Sequence, residues 1–202
     1  RKQVTMKNPS YLMAEDPETD LEIAEAMVAE LEDYIIENEL YRTLIVHTAA
    51  GDENMRMTGG ALLSRLHRLQ GERSELPPAL QQRLDAAQSK ANRVIHSLRG
   101  RFHERLQREM RARLDSLRWF LDECYEDRQR CRTEFPFEMR NRQRIEEILK
   151  EVGSNLPADL REGLQTVDRR IREAAQPGDF TWDPRVRKIY PQERYWYLYM
   201  RP

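Results

Sequence analysis

The chain has 202 residues, of which 39% are apolar and 34% charged, and its formal net charge is −1 at pH 7. This is enough apolar material for the core of one good domain or two small ones, which excludes disorder throughout. Near neutrality excludes a global field drawing the whole molecule to nucleic acid or membrane, so any electrostatic partner must be met locally. No run approaches the ~18 uninterrupted apolar residues of a membrane span.

Residues 1–18 carry Pro9 and Pro17 without periodicity and read as an extended lead-in. Their basic start is not followed by an apolar core, so they do not form a signal peptide, and the default expectation is a soluble cytoplasmic protein. At Thr19-Asp20-Leu21-Glu22 a capping box opens a helix over about 20–38, in which Leu21, Ala24, Met27, Val28, Leu31, Tyr34 and Ile35 recur at three and four. No Lys or Arg stands between Lys7 and Arg42. This acidic helix therefore has nothing of its own to offset its C-terminal dipole, and basic groups from elsewhere should lie beside it.

Thr43 to Thr48 is β-branched and apolar, Gly51-Asp52 marks a turn, and Asn54 to Thr58 alternates, which predicts a small β-hairpin over 43–58. A short helix follows, closed by Gly71. From Pro77 the apolar residues Leu80, Leu84, Ala87, Ala91, Val94, Leu98, Phe102, Leu106, Met110, Leu114, Leu117, Leu121 and Cys124 step by three and four. They predict one long helix over 78–133, roughly 80 Å if unbroken, which must project, pair or bend, with Gly100 the place to bend. Pro136 ends it; one helix closes at Gly153 and a last one runs up to Pro177-Gly178. The expected architecture is mainly α: an elongated helical bundle over 19–179 with a hairpin insertion and an extended aromatic C-terminal segment over 180–202.

Cys124 and Cys131 lie seven apart. On one helix that is about 10 Å, too far for a bridge, so they read as small core residues in a reducing compartment. Glu-x-x-His, the di-iron signature, fails at His47, His67, His96 and His103, and no zinc spacing or phosphate loop is present. No cofactor or metal is expected. A non-motif site around His47, Asp52 and Glu53 is the remaining enzymatic expectation.

Two stretches invite a surface role. Arg101, Arg105, Arg108 and Arg111 project away from the Phe102, Leu106, Met110 stripe as a basic ridge, for phosphate tracking or as a plain solvated face. Seven of the 16 aromatics fall in the last 23 residues, among them Trp182, Tyr190, Tyr195, Trp196, Tyr197 and Tyr199, with Arg194 between them. Such a tail is expected to strap its own helices or to dock another chain. The expected function is a non-enzymatic interaction or scaffold protein that self-associates as a homo-oligomer or binds a protein partner. The alternative is a nucleic-acid-associated accessory protein using the ridge and tail; no membrane partner is expected.

Overall fold

The computed structural model describes residues 16–202, and most of the expected lead-in lies outside them. The protein is mostly helical with a small two-stranded antiparallel sheet. In order come α1 (Pro17–Ile36), β1 (Arg42–Thr48), β2 (Gly51–Met57), α2 (Gly59–Glu72), α3 (Pro78–Ser97), α4 (Arg99–Glu126), α5 (Arg128–Val152) and α6 (Ala158–Ala174). Among the described residues no helix is long and apolar enough to cross a membrane.

Helix α1 starts earlier than the capping box suggests. Pro17 suits the first helical position, where no N–H is needed, so Asp16 is the cap and its carboxylate accepts from the Thr19 N–H at 3.1 Å. The apolar face of α1 is fully buried against α2 and α3. Its acidic residues meet arginines from three elements. Asp20, 0% exposed, accepts from Arg65 at 2.5 Å and from Arg68 at 2.8 Å, Glu25 pairs with Arg83, and Glu30 pairs with Arg42. Arg105 of α4 donates to the carbonyls of Tyr34 and Ile35 at 2.8 and 3.3 Å. A cation thus reaches the C-terminal end of a helix that has none in its own last turn.

The hairpin pairs Arg42 with Met57 through to Thr48 with Gly51, so its turn is Ala49-Ala50, not Gly51-Asp52. Gly51 takes φ 120°, a conformation glycine adopts without a side-chain clash. The tip is held to α1 by the Ala49 N–H on Glu22.

The single long helix over 78–133 is not formed. It breaks at Leu98 (φ −119°, ψ 28°), one residue before α4, and Gly100 sits inside the first turn of α4. It breaks again at Asp127, whose extended backbone ends α4 and whose carboxylate caps α5 through the Arg130 N–H at 3.0 Å. The chain reverses there, and α5 runs back along α4. Cys124 and Cys131 are therefore not on one helix. They face each other across the reversal with Cα atoms 4.8 Å apart and form a disulfide, both 1% exposed. This corrects the expectation of reduced core thiols. Pro136 does not end an element; it lies inside α5, which Gly153 closes at φ 61°.

Candidate functional site

The C-terminal segment is not uniformly extended. After α6 the chain forms β3 (Gln176–Pro177), two 3-10 turns (Pro184–Ile189 and Trp196–Tyr199) and β4 (Met200–Arg201), and β3 pairs with β4 so that the segment closes on itself. Tyr190 and Tyr197 are 0% exposed, Tyr195 1% and Tyr199 5%. Trp182 is half-buried, donates to the Pro136 carbonyl at 2.8 Å and meets Tyr190 edge-on. Tyr199 donates to the Tyr190 carbonyl, Arg172 lies over the Trp196 ring at 3.8 Å, and exposed Arg194 approaches Glu146 at 3.7 Å. The aromatics thus cover α2 and α5, and their area is spent within the chain.

Tyr195 ties this segment to both helices. Its hydroxyl donates to Glu147 at 2.7 Å and accepts from Lys150 at 2.6 Å, with His67 Nε2 at 3.2 Å from it and at 3.2 Å from the Ile189 carbonyl. Gln143 extends the network, donating to Glu147 and accepting from Ser64. Burial and the neighbouring Glu147 raise the Tyr195 hydroxyl far above its ordinary range. Burial lowers His67 below its own range, although Glu147 acts the other way. The cluster combines a base, an acid and a hydroxyl, but Tyr195 at its centre is closed over by the protein.

The expected basic ridge is divided. Arg105 is 2% exposed and spends its donors on α1, contrary to its expected place on an open face. Arg108 donates to Asn38 at 2.9 Å and Arg111 pairs with Asp159 at 2.6 Å; both are exposed, as is Arg101. His47 and Asp52 pair at 2.6 Å on the open hairpin, with side chains 79% and 67% exposed. Among the described residues no cluster of three or more His, Cys, Asp or Glu is placed to hold a metal ion.

An open hollow bordered by an exposed aromatic lies between α4 and α5. Trp119 and Tyr125 are 70% and 71% exposed while the tail aromatics are largely covered. Trp119 borders a concavity of about 570 Å³ whose rim carries Glu123, Glu134 and Glu138, with Arg130 reaching Glu134 at 2.8 Å. Burial, with Glu134 and Glu123 near by, holds the Glu138 carboxyl above its ordinary range although Asn141 donates to it. Ser116 and Asn141 separate this acidic hollow from a second one of about 230 Å³, lined by Arg56, Arg113, Arg144 and Tyr41. At its floor buried Glu109 accepts from the Gly60 N–H at 2.9 Å and from Arg113 at 2.7 Å.

No protein family, curated protein or solved structure matches the chain.

Spacing did not reveal the second hollow, because its arginines come from β2, α4 and α5 and meet only after the α4–α5 reversal. Trp119 did carry a signal: it stands off the Leu114, Leu117, Leu121 stripe, on a face that periodicity assigns to solvent.

Proposed function

We propose that this chain is a non-enzymatic interaction protein, its helices arranged as one bundle, that receives a basic segment of a protein partner in the acidic hollow between α4 and α5. The observation that carries this is Trp119, a large aromatic whose ring is left open beside a concavity lined by Glu123, Glu134 and Glu138 against one cation among the described residues, Arg130, with the Trp119 indole N–H donating to Glu123 at 2.9 Å. Exposed aromatic area beside three carboxylates, served within the hollow by that single cation and with Glu138 desolvated by burial, is suited to the stem and head of an arginine or lysine, by ring contact and by ion pairing. The raised Glu138 carboxyl supports the same reading, since a cation brought next to it would relieve the repulsion from Glu134 and Glu123.

Self-association through the tail has less support, because Tyr190, Tyr195, Tyr197 and Tyr199 are covered within the chain. The nucleic-acid reading also has less support, because Arg105 is buried and Arg108 and Arg111 already have partners.

The test is a titration of a fluorescein-labelled amphipathic Arg/Lys helix into the protein at low salt, with light scattering on a sizing column beside it. Binding that weakens with salt and is lost in Trp119→Ser and in Glu134→Gln/Glu138→Gln is expected. Binding unchanged in those variants, or absent at low salt, overturns the proposal. A dimer that Trp119→Ser dissociates would assign the groove to a second copy instead.

A further inference from the structure

Every charge in a half-buried site needs a counter-charge or it destabilises the fold. In the smaller hollow this accounting does not close. Glu109 is fully used: one oxygen takes the Gly60 N–H and the other takes Arg113 Nε. Arg113 directs its remaining donors to Asn141 at 2.7 Å and Thr58 at 3.2 Å. Arg144 is half-buried on the same wall, and makes no hydrogen bond or ion pair with any described residue. Arg56 of β2 lines the same hollow, lying over the Tyr41 ring at 4.6 Å with no carboxylate partner among the described residues. Burial, together with Arg113 and Arg140, depresses Arg144 well below the ordinary arginine range although Glu109 acts the other way, so its charge is held at a cost.

We infer that the hollow between β2, α4 and α5 is a binding site for a phosphate group, with Arg144 as its principal ligand and Arg56 as the second arm. Two guanidinium groups lining one hollow present planar forks that match the oxygens of a tetrahedral dianion, and Tyr41 keeps the Arg56 fork in place. A volume of about 230 Å³ admits phosphate or a small phosphomonoester. It is below the roughly 300–1,000 Å³ of sites for drug-sized ligands. The phosphate group is the shared chemistry of inorganic phosphate and of a small phosphorylated metabolite. This site is separate from the acidic hollow and does not depend on the docking of a basic segment there.

The experiment uses the full chain. Melting temperature and ³¹P line width are followed as inorganic phosphate, glycerol phosphate, phenyl phosphate or acetate is added, each against sodium chloride of equal ionic strength. Phosphate and the phosphomonoesters are expected to raise the melting temperature beyond the chloride control, and acetate to do so less. Tighter binding of a phosphomonoester than of inorganic phosphate assigns the site to a phosphorylated metabolite, and the reverse order to the free ion. In Arg144→Met the affinity should fall on the order of tenfold or more, the loss of a charge-assisted hydrogen bond. Without anion this variant should melt no lower than the parent, because burial and the neighbouring Arg113 and Arg140 outweigh the attraction of Glu109 for the charge removed. Arg56→Gln, on an exposed strand position, serves as the second variant and should weaken phosphate binding to a smaller extent. No phosphate effect beyond chloride, an acetate effect equal to that of phosphate, or unaltered affinity in both variants would overturn the assignment.

Discussion

Two glycines in helices give the sharpest test of how the C-terminal segment sits. Gly71 lies in the last turn of α2 and Gly100 in the first turn of α4, and helix propensity alone predicts that alanine at either gains up to about 1 kcal/mol. Around Gly100 nothing lies within 4 Å of where a Cβ would stand. Gly100→Ala should therefore keep that gain, roughly 2–4 °C in melting temperature for a chain of this size. At Gly71 a Cβ would meet Ile189 Cγ1 at 2.8 Å, Cγ2 at 2.9 Å and Cβ at 3.3 Å. Those atoms lie at the stiff base of a β-branched side chain, so the overlap costs about 1–3 kcal/mol and the net change is a loss of roughly 0–2 kcal/mol. Urea melts of both variants, alone and with Ile189→Ala, measure this. In the Ile189→Ala background Gly71→Ala should recover its helical gain, a coupling of about 1–3 kcal/mol. Equal stabilisation by the two single substitutions would refute the packing of the C-terminal segment on α2.

Reduction of the disulfide, or Cys124→Ser/Cys131→Ser, should cost about 2–3 kcal/mol for so short a loop, read as a drop in melting temperature with reductant; no drop refutes a contribution of the bridge to stability. Deleting residues 180–202 removes Tyr190, Tyr195, Tyr197 and Leu198, each worth about 1.5–3 kcal/mol when buried. That sum approaches the whole stability of a domain, so the truncated chain should lose its cooperative melt, and an unchanged melting point would refute the strap. His67 is held below its ordinary 6.5 by burial, so the unfolded chain takes up the proton more readily. The stability it gives is present above pH 6.5 and lost as pH falls below it. Denaturation midpoints should show this loss and His67→Gln should lessen it; the same acid loss in the variant refutes the assignment. Tyr34 and Tyr190 are pushed up from 10.0 to about 12, so their contribution is present below pH 10 and lost as pH rises through about 12. Absorbance at 295 nm follows that ionisation, and ordinary titration near pH 10 by all tyrosines would refute it.

The apolar stripes were legible because their periods are local. Leu21 to Ile35 and Phe102 to Leu121 are buried as their spacing requires. Breaks between helices were less legible. Leu98 and Asp127 interrupt a stripe that continues through them, since a reversal can preserve the apolar step while turning the axis. The cysteine pair was misjudged for this one reason: 10 Å of helix became 4.8 Å across a turn. Arg105 looked like a surface cation because propensity and charge say nothing of a neighbour's carbonyls.

By itself the sequence determined a helical protein with one small hairpin, acidic α1 in need of basic company, and an aromatic end with area to bury. These follow from composition and from periods of two and of about 3.6, which act over a few residues. Only the tertiary structure decided which charges find partners. Asp20 takes Arg65 and Arg68, Glu109 takes Arg113 and the Gly60 N–H, and Arg144 is left facing an open hollow. Ion pairing and desolvation depend on distances between residues remote in the chain, and those distances exist only after the helices have packed.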